Sequence, residues 1–261
     1  MKKIRTLAAM LILGALCTAA HASDDSASVY VTIADGNGDL AMAYKAVEVT
    51  DIDGDGTLTI SDALYCAHEE NFDGGAAAGY GTAMTDYGLS MTKLWGAENG
   101  SGYGYVNNDV SAWGLADPVT DGDHVSAYVY TDLVTWSDTF CYFDKKTASG
   151  EMIELTLTAN GWDENYAPIT VPVEGAVITV NGEKTDIVTD ANGKAEIPIP
   201  GSGTYVISAE SDTQTLVPPV CIVNNAPQTA DGTAMLLLSS IAGLAGTVFA
   251  YIGSRKKNDE N

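Results

Sequence analysis

Positive charge is scarce. The 261 residues hold 12 Lys and Arg against 35 Asp and Glu, a formal net charge of −23. Lys2, Lys3 and Arg5 crowd one end and Arg255, Lys256 and Lys257 the other, so residues 23–229 keep 6 basic residues against 32 acidic ones, a charge of −26. A field of that sign repels nucleic acid and anionic lipid headgroups, excludes a phosphate-binding role, and attracts cations. Histidine is nearly as rare, with three in the chain. His68-Glu69-Glu70 lacks the second histidine of a zinc-binding helix, and His124 lies in no nucleophile, zinc or phosphate motif, so the sequence points to no enzyme and to no catalytic residue. Of four cysteines, Cys17 falls in the leader described below, which leaves Cys66, Cys141 and Cys221. An odd count excludes a disulfide framework; one disulfide fits an oxidising exterior, and all three pairings stay open.

Long apolar runs occur only at the two ends. Basic residues precede the run from Leu7 to Ala15, and Ala20-His21-Ala22 places small residues where a signal peptidase reads, which predicts a signal peptide over 1–22 and export of the rest. Near the other end, residues 233–254 form 22 uncharged positions, long enough at 1.5 Å per residue for a bilayer core of about 30 Å. The basic tail over 255–261 holds that end in the cytoplasm.

Directly upstream stands Ala226-Pro227-Gln228-Thr229-Ala230. Pro227, Gln228 and Thr229, followed by the span and the basic tail, resemble the sorting signal of Gram-positive surface proteins, with Ala226 in place of leucine and Ala230 in place of glycine. The resemblance implies a sortase as processing partner, attachment of Thr229 to cell-wall peptidoglycan, and an extracellular, wall-anchored or membrane-anchored location.

Between these ends, 13 tyrosines, four tryptophans and alternating Val and Ile runs predict a mainly β protein. Val29, Val31 and Ile33, then Val47 and Val49, bracket the turn-rich Asp35-Gly36-Asn37-Gly38-Asp39 and read as a hairpin. An acidic loop follows, then a helix with Ile60, Leu64 and Ala67 or His68 on one face; residues 71–104 show no strong period. Strands return around Tyr103 to Asn108 and Asp121 to Tyr130. The order resembles a β-grasp-like domain of unknown function related to the C-terminal domain of transcobalamins, which we place at 23–139. From Phe140 onward, Ile153 to Leu157, Ala176 to Val180, Ala195 to Ile199 and Thr204 to Ala209 read as short strands of a small Ig/prealbumin-like β-sandwich over 140–223. The run Thr189-Asp190 through Gly193, then Ala195, Ile197, Ile199, Pro200 and Tyr205, resembles prealbumin-like and collagen-adhesin B-type stalk domains. No lysine occupies 151–158, so no Lys–Asn cross-link involving Glu210 and Asn224 or Asn225 is expected. Pro218-Pro219 and residues 224–232 read as an extended spacer and sorting motif.

Two constellations carry chemistry. Asp51, Asp53 and Asp55 occupy positions 1, 3 and 5 of a twelve-residue loop, with Gly56 at the sharp turn, Thr57 offering its carbonyl, Leu58 packing inward and Asp62 at position 12. Alternate oxygen donors converge on one hard cation, so the loop predicts a structural Ca2+ with affinity of about 10⁻⁴ to 10⁻³ M, held by Asp51, Asp53, Asp55, Thr57 and Asp62. It resembles the calcium loops of cellulosome dockerins, without an entering helix or a second copy. Trp95, Tyr103, Tyr105 and Trp113, with Tyr128, Tyr130 and Trp136 beyond, are candidates for stacking on a glycan or a protein ligand. The expectation is a secreted, calcium-stabilised, non-catalytic surface protein in adhesion or ligand capture. The alternatives are capture of a corrinoid-like small molecule, a glycan-active enzyme and a plain spacer.

Overall fold

The computed structural model describes residues 26–226 except 99, 101 and 166. The signal peptide, the sorting residues Pro227, Gln228 and Thr229, the span over 233–254 and the basic tail lie outside the described residues; within them no helix is long and apolar enough to cross a membrane. The described residues are mainly β, with seventeen strands and two helices among them. In order these are β1 (Ser26–Ala34), β2 (Leu40–Thr50), α1 (Ile60–Asn71), α2 (Gly75–Gly79), β3 (Gly81–Thr85), β4 (Gly88–Lys93), β5 (Tyr103–Asn107), β6 (Val110–Ser111) and β7 (His124–Val129). Then come β8 (Thr139–Phe143), β9 (Thr147–Ala148), β10 (Met152–Trp162), β11 (Pro168–Pro172), β12 (Val177–Val180), β13 (Glu183–Val188), β14 (Lys194–Pro198), β15 (Gly203–Glu210), β16 (Leu216–Val217) and β17 (Cys221–Asn225).

The first unit is one sheet in the order β2-β1-β7-β5-β6, antiparallel except for the parallel pair β1 and β7. Val29, Val31 and Ile33 from β1 and Val125, Ala127 and Val129 from β7 bury against Ile60, Ala63, Leu64 and Ala67 of α1. Period-two alternation puts Thr32 and Ala34, and His124, Ser126 and Tyr128, on the opposite face. They are buried too, because the second unit covers that face. Gly104 belongs to this covered face: a Cβ there would lie 2.1 Å from the Tyr128 ring, so only glycine lets the ring lie flat on its cross-strand neighbour. The region 71–104 resolves into α2 and the two-stranded hairpin β3–β4.

The second unit has two five-stranded sheets. One runs β11-β10-β8-β16 with β14 also on β10, the other β13-β12-β15-β17-β9. A single apolar cluster draws on both sheets, with Phe143, Leu155, Leu157, Ile178, Ile197 and Ile207 fully buried. Each such side chain contributes about 1.5–3 kcal/mol on leaving water. Two spacer expectations are corrected here. Asn224 and Asn225 are inside β17, paired with Thr204 and Gly203, and Pro218-Pro219 lies between strands β16 and β17 against the first unit. Strand β17 therefore carries the fold through Asn225. All three described cysteines are free and buried, so none of the three open pairings forms.

A bulge joins the units. Between Val31 paired with Lys45 and Ile33 paired with Met42, β2 carries one extra residue, and Tyr44 takes φ 43°. A bulge re-aims side chains. This one sends Ala43, with Leu40 and Tyr44, onto Val206, Val220 and Ile222 of the second unit. Nearby, Lys146 Nζ meets Asp109 Oδ1 at 2.7 Å, and the Asn160 side-chain amide donates to the Asp109 carbonyl at 2.8 Å.

Strand β11 is an exposed sheet edge with proline at both ends. Asp163 N–H donates to the Ala167 carbonyl, so by alternation Ile169 and Val171 bond inward to β10 while Pro168, Thr170 and Pro172 face outward. Two of three outward positions thus lack a donor, which blunts the edge against strand addition. The double substitution Pro168→Thr, Pro172→Thr is expected to give concentration-dependent self-association in analytical ultracentrifugation, with the unsubstituted protein unchanged over the same range.

Candidate metal centre

The junction from β2 to α1 is built by side chains bonding their own backbone. Asp51 accepts from Gly54 N–H at 2.7 Å through Oδ1 and from Gly56 N–H at 2.8 Å through Oδ2. Asp53 Oδ1 accepts from Asp55 N–H, and Asp55 Oδ1 from Thr57 N–H. Gly54 and Gly56 take φ of 76° and 87°, where a Cβ would be strained, and this lets the chain coil around the carboxylates. Asp51, Asp53 and Asp55 each bring one oxygen within 4.8 Å of the others. Oxygens that share one Ca2+ at 2.3–2.6 Å stand at most about 5 Å apart, so the donor set fits the ion. When bound there, Ca2+ would supply charge neutralisation, with Asp51, Asp53 and Asp55 as its carboxylate ligands.

The electrostatics are uneven. The Gly56 N–H above all, then those of Gly54 and Asp55, hold the Asp51 carboxyl below its ordinary range. Asp53 receives the Asp55 N–H, which lowers it, but partial desolvation and the charges of Asp55, Asp62 and Asp51 outweigh that bond and push it up. A cation beside Asp53 would offset those neighbouring charges.

Asp62 does something else. The sequence places it in the cation shell, yet the convergent oxygens are those of Asp51, Asp53 and Asp55. Asp62 Oδ1 accepts from Ile52 N–H at 3.1 Å, while Oδ2 accepts from Thr59 N–H at 2.9 Å and from Thr59 Oγ1. Thr59 Oγ1 in turn accepts from Asp62 N–H, which closes a capping box at the start of α1. Thr57 lies in the loop, exposed, with its N–H on Asp55. Leu58 packs toward the first core as expected.

The sequence reading missed the brace on this loop. Val119 N–H donates to the Leu58 carbonyl, and the N–H groups of Ile60 and Ser61 donate to the carbonyls of Asp117 and Leu115. Those groups open a helix and have no partner inside it, so the segment 115–119 satisfies them from outside. Pairing between segments so far apart in the chain leaves no local signal.

Comparison with known families, curated proteins and solved structures yields no match to this chain. The site is therefore read from its geometry alone.

The candidate aromatics do not act together. Trp95 packs edge-on to Phe72 at 5.2 Å and against His68 at 5.1 Å. The Tyr103 hydroxyl donates to the carbonyls of Thr92 and Ala97, and Tyr105 is half-buried against the first core. Trp113 is 99% exposed and makes no ring contact among the described residues. Tyr128 and Tyr130 pack against each other, with Trp136 on Tyr130. Alternation on a strand marks half-buried sheet positions as well as platforms. Here Trp95, Tyr103 and Tyr105 serve the core.

His68 is held as a structural group. Its Nδ1 bonds the Leu64 carbonyl at 2.6 Å, its Nε2 accepts the Trp95 N–H at 3.0 Å, and burial pushes it down to about 4. An unfolded histidine titrates near 6.5, so below that pH the unfolded chain takes up a proton that the fold refuses, and stability falls. From pH 7.5 to 5 the loss through His68 is expected to be about 2 kcal/mol, read by urea denaturation, and a His68→Gln protein should lack that increment. At the loop, Asp62→Ala is expected to lower stability by about 1–2 kcal/mol with or without calcium, through loss of the cap. By contrast Asp53→Asn should leave calcium-free stability intact and abolish a calcium-dependent rise in Tm of about 3–10 °C at 10 mM.

Proposed function

We propose that this is a secreted, calcium-stabilised surface protein, anchored to the wall of a Gram-positive cell, acting without catalysis in adhesion or ligand capture. The observation that carries the calcium part is the convergence of Asp51, Asp53 and Asp55 on one point at a braced strand-to-helix turn. The loop is exposed and far from catalytic in character: its cation would fix the entry of α1 and would activate no water or substrate. Its low affinity suits the millimolar calcium outside cells.

In this reading the first unit is β-grasp-like. Support comes from the strand order β2-β1-β7-β5, from a first strand parallel to the last long one, and from α1 crossing one face between the two strand pairs. The second unit is an Ig/prealbumin-like sandwich of the stalk type. The single apolar cluster between its two sheets supports that assignment. Lys184 ion-pairs with Glu210, and Asn224 accepts from Thr204 Oγ1, so the residues weighed for a cross-link have other partners. The export and anchoring parts rest on the sequence of residues 1–22 and 226–261.

Cell fractionation tests the anchoring. In a Gram-positive host that makes its own sortase, the protein is expected in the wall fraction, released by a muralytic enzyme. Thr229→Ala should move it to the membrane fraction, still carrying the apolar tail. Finding both forms in the membrane would reduce the tail to a plain membrane span.

A further inference from the structure

His124 sits where the two units meet, on the face of β7 turned away from α1. Its Nε2 bonds Thr32 Oγ1 at 2.8 Å and Ser126 Oγ at 3.2 Å, and its ring stands edge-on to Tyr44 at 4.8 Å. Tyr44 stacks on Tyr30 at 4.3 Å, and its N–H donates to the same Thr32 hydroxyl at 3.1 Å. The imidazole therefore supports the bulge that carries Ala43 and Tyr44 onto the second unit. Its other nitrogen is different. Nδ1 is buried without a partner, and the residue lines a cavity of about 10 Å³, room for a single water. Thr32 and Ser126 line that cavity from the first unit, and Cys141, Tyr142 and Lys146 from the second.

We propose that this contact is an acid-released latch: proton uptake by His124 parts the two units along this face while each keeps its own core. The charged groups around the ring make the closed form hostile to a second ring proton. Lys146 lines the cavity, and the Asp109 carboxylate beside it is already bound to the Lys146 ammonium at 2.7 Å. The remaining titratable neighbours are the hydroxyls of Tyr44 and Tyr142 and the Cys141 thiol, and burial pushes Tyr44 and Cys141 further up, away from ionisation. Asp123, the chain neighbour, is spent on Asn108 and Thr120. A new N–H at Nδ1 would thus enter a buried position where the ring nitrogen has no present partner and the Lys146 charge opposes it. Burial first, then the Lys146 charge, hold His124 down to about 3 in the closed form. Once the units part, the ring meets water and titrates near 6.5. Between those limits the ratio of open to closed protein rises about ten-fold per pH unit as pH falls. The second core holds no histidine, whereas His68 in the first unit separately lowers that unit's stability in acid.

Cys141 provides the readout. It lies in the second core with Cys221 but also lines the cavity and donates to the carbonyl of Val217, which packs on Ala34 and Tyr128 of the first unit, while Cys66 belongs to the first core. The full chain in detergent is labelled with dithiodipyridine, which reacts in acid, and each cysteine is followed by peptide mass spectrometry relative to a free cysteine peptide. From pH 7.5 to 4.5 the normalised Cys141 rate is expected to rise about 100-fold, with Cys221 far behind and Cys66 following the separate loosening of the first unit through His68. His124→Gln should flatten the rise. Should that variant fail to fold, Lys146→Gln serves: without the nearby cation the closed form accepts the proton at higher pH, so with the range extended to pH 3.5 the rise is smaller than in the unsubstituted protein. A Cys141 rate independent of pH would overturn the latch. So would an equal rise in both variants, or Cys221 rising in step with Cys141.

Discussion

Three carboxylates held within 4.8 Å of one another, at the point where a strand must become a helix, set the terms for the first unit. Like charges at that range repel, and the loop answers with backbone N–H groups aimed at the oxygens and two glycines in left-handed conformation. This geometry fixes where α1 starts. The start of α1 fixes the segment 115–119, whose carbonyls cap the helix, and that segment leads into β7, the strand parallel to β1 at the centre of the sheet. A cation among the three carboxylates would remove the one repulsive element in this chain of supports.

Charge and burial divide the molecule differently. All six described lysines have a partner: Lys93 with Glu98, Lys145 with Asp144, Lys146 with Asp109, Lys184 with Glu210, Lys194 with Glu154, and Lys45 with the Asn71 amide. Exposed pairs of this kind contribute little to stability. They leave most carboxylates unpaired, so the surface stays strongly negative. Cohesion comes from apolar layers instead: α1 on one face of the first sheet, the second unit on the other, and the closed core of the second unit. Because β1 and β7 are covered on both faces, a polar group on the covered side, such as His124, is obliged to find its partners inside.

The parts legible in the sequence are those with a period. Val29, Val31 and Ile33, or Ile153, Leu155 and Leu157, alternate because one side meets a core, and Asp-Gly and Asn-Gly turns mark their ends. Asp51, Asp53, Gly54, Asp55 and Gly56 are legible because a carboxylate acceptor or a left-handed glycine is needed at each. Asp62 misled, since a carboxylate at that spacing serves a cation shell or a capping box equally well, and Thr59 three residues before it decides for the cap. Strand β11 was invisible because both its faces are exposed and offer no contrast. Asn224 and Asn225 resemble a spacer in composition and are strand by pairing. The β2 bulge, the 115–119 brace and the orphaned nitrogen of His124 depend on residues distant in the chain, which local patterns do not report.

Isothermal titration calorimetry of calcium into residues 23–226, beside the Asp53→Asn protein, tests the central claim most directly. The account predicts one saturable site per chain in the range of about 10⁻⁴ to 10⁻³ M, absent from the variant. No heat at several millimolar calcium, or the same heat from both proteins, would contradict it.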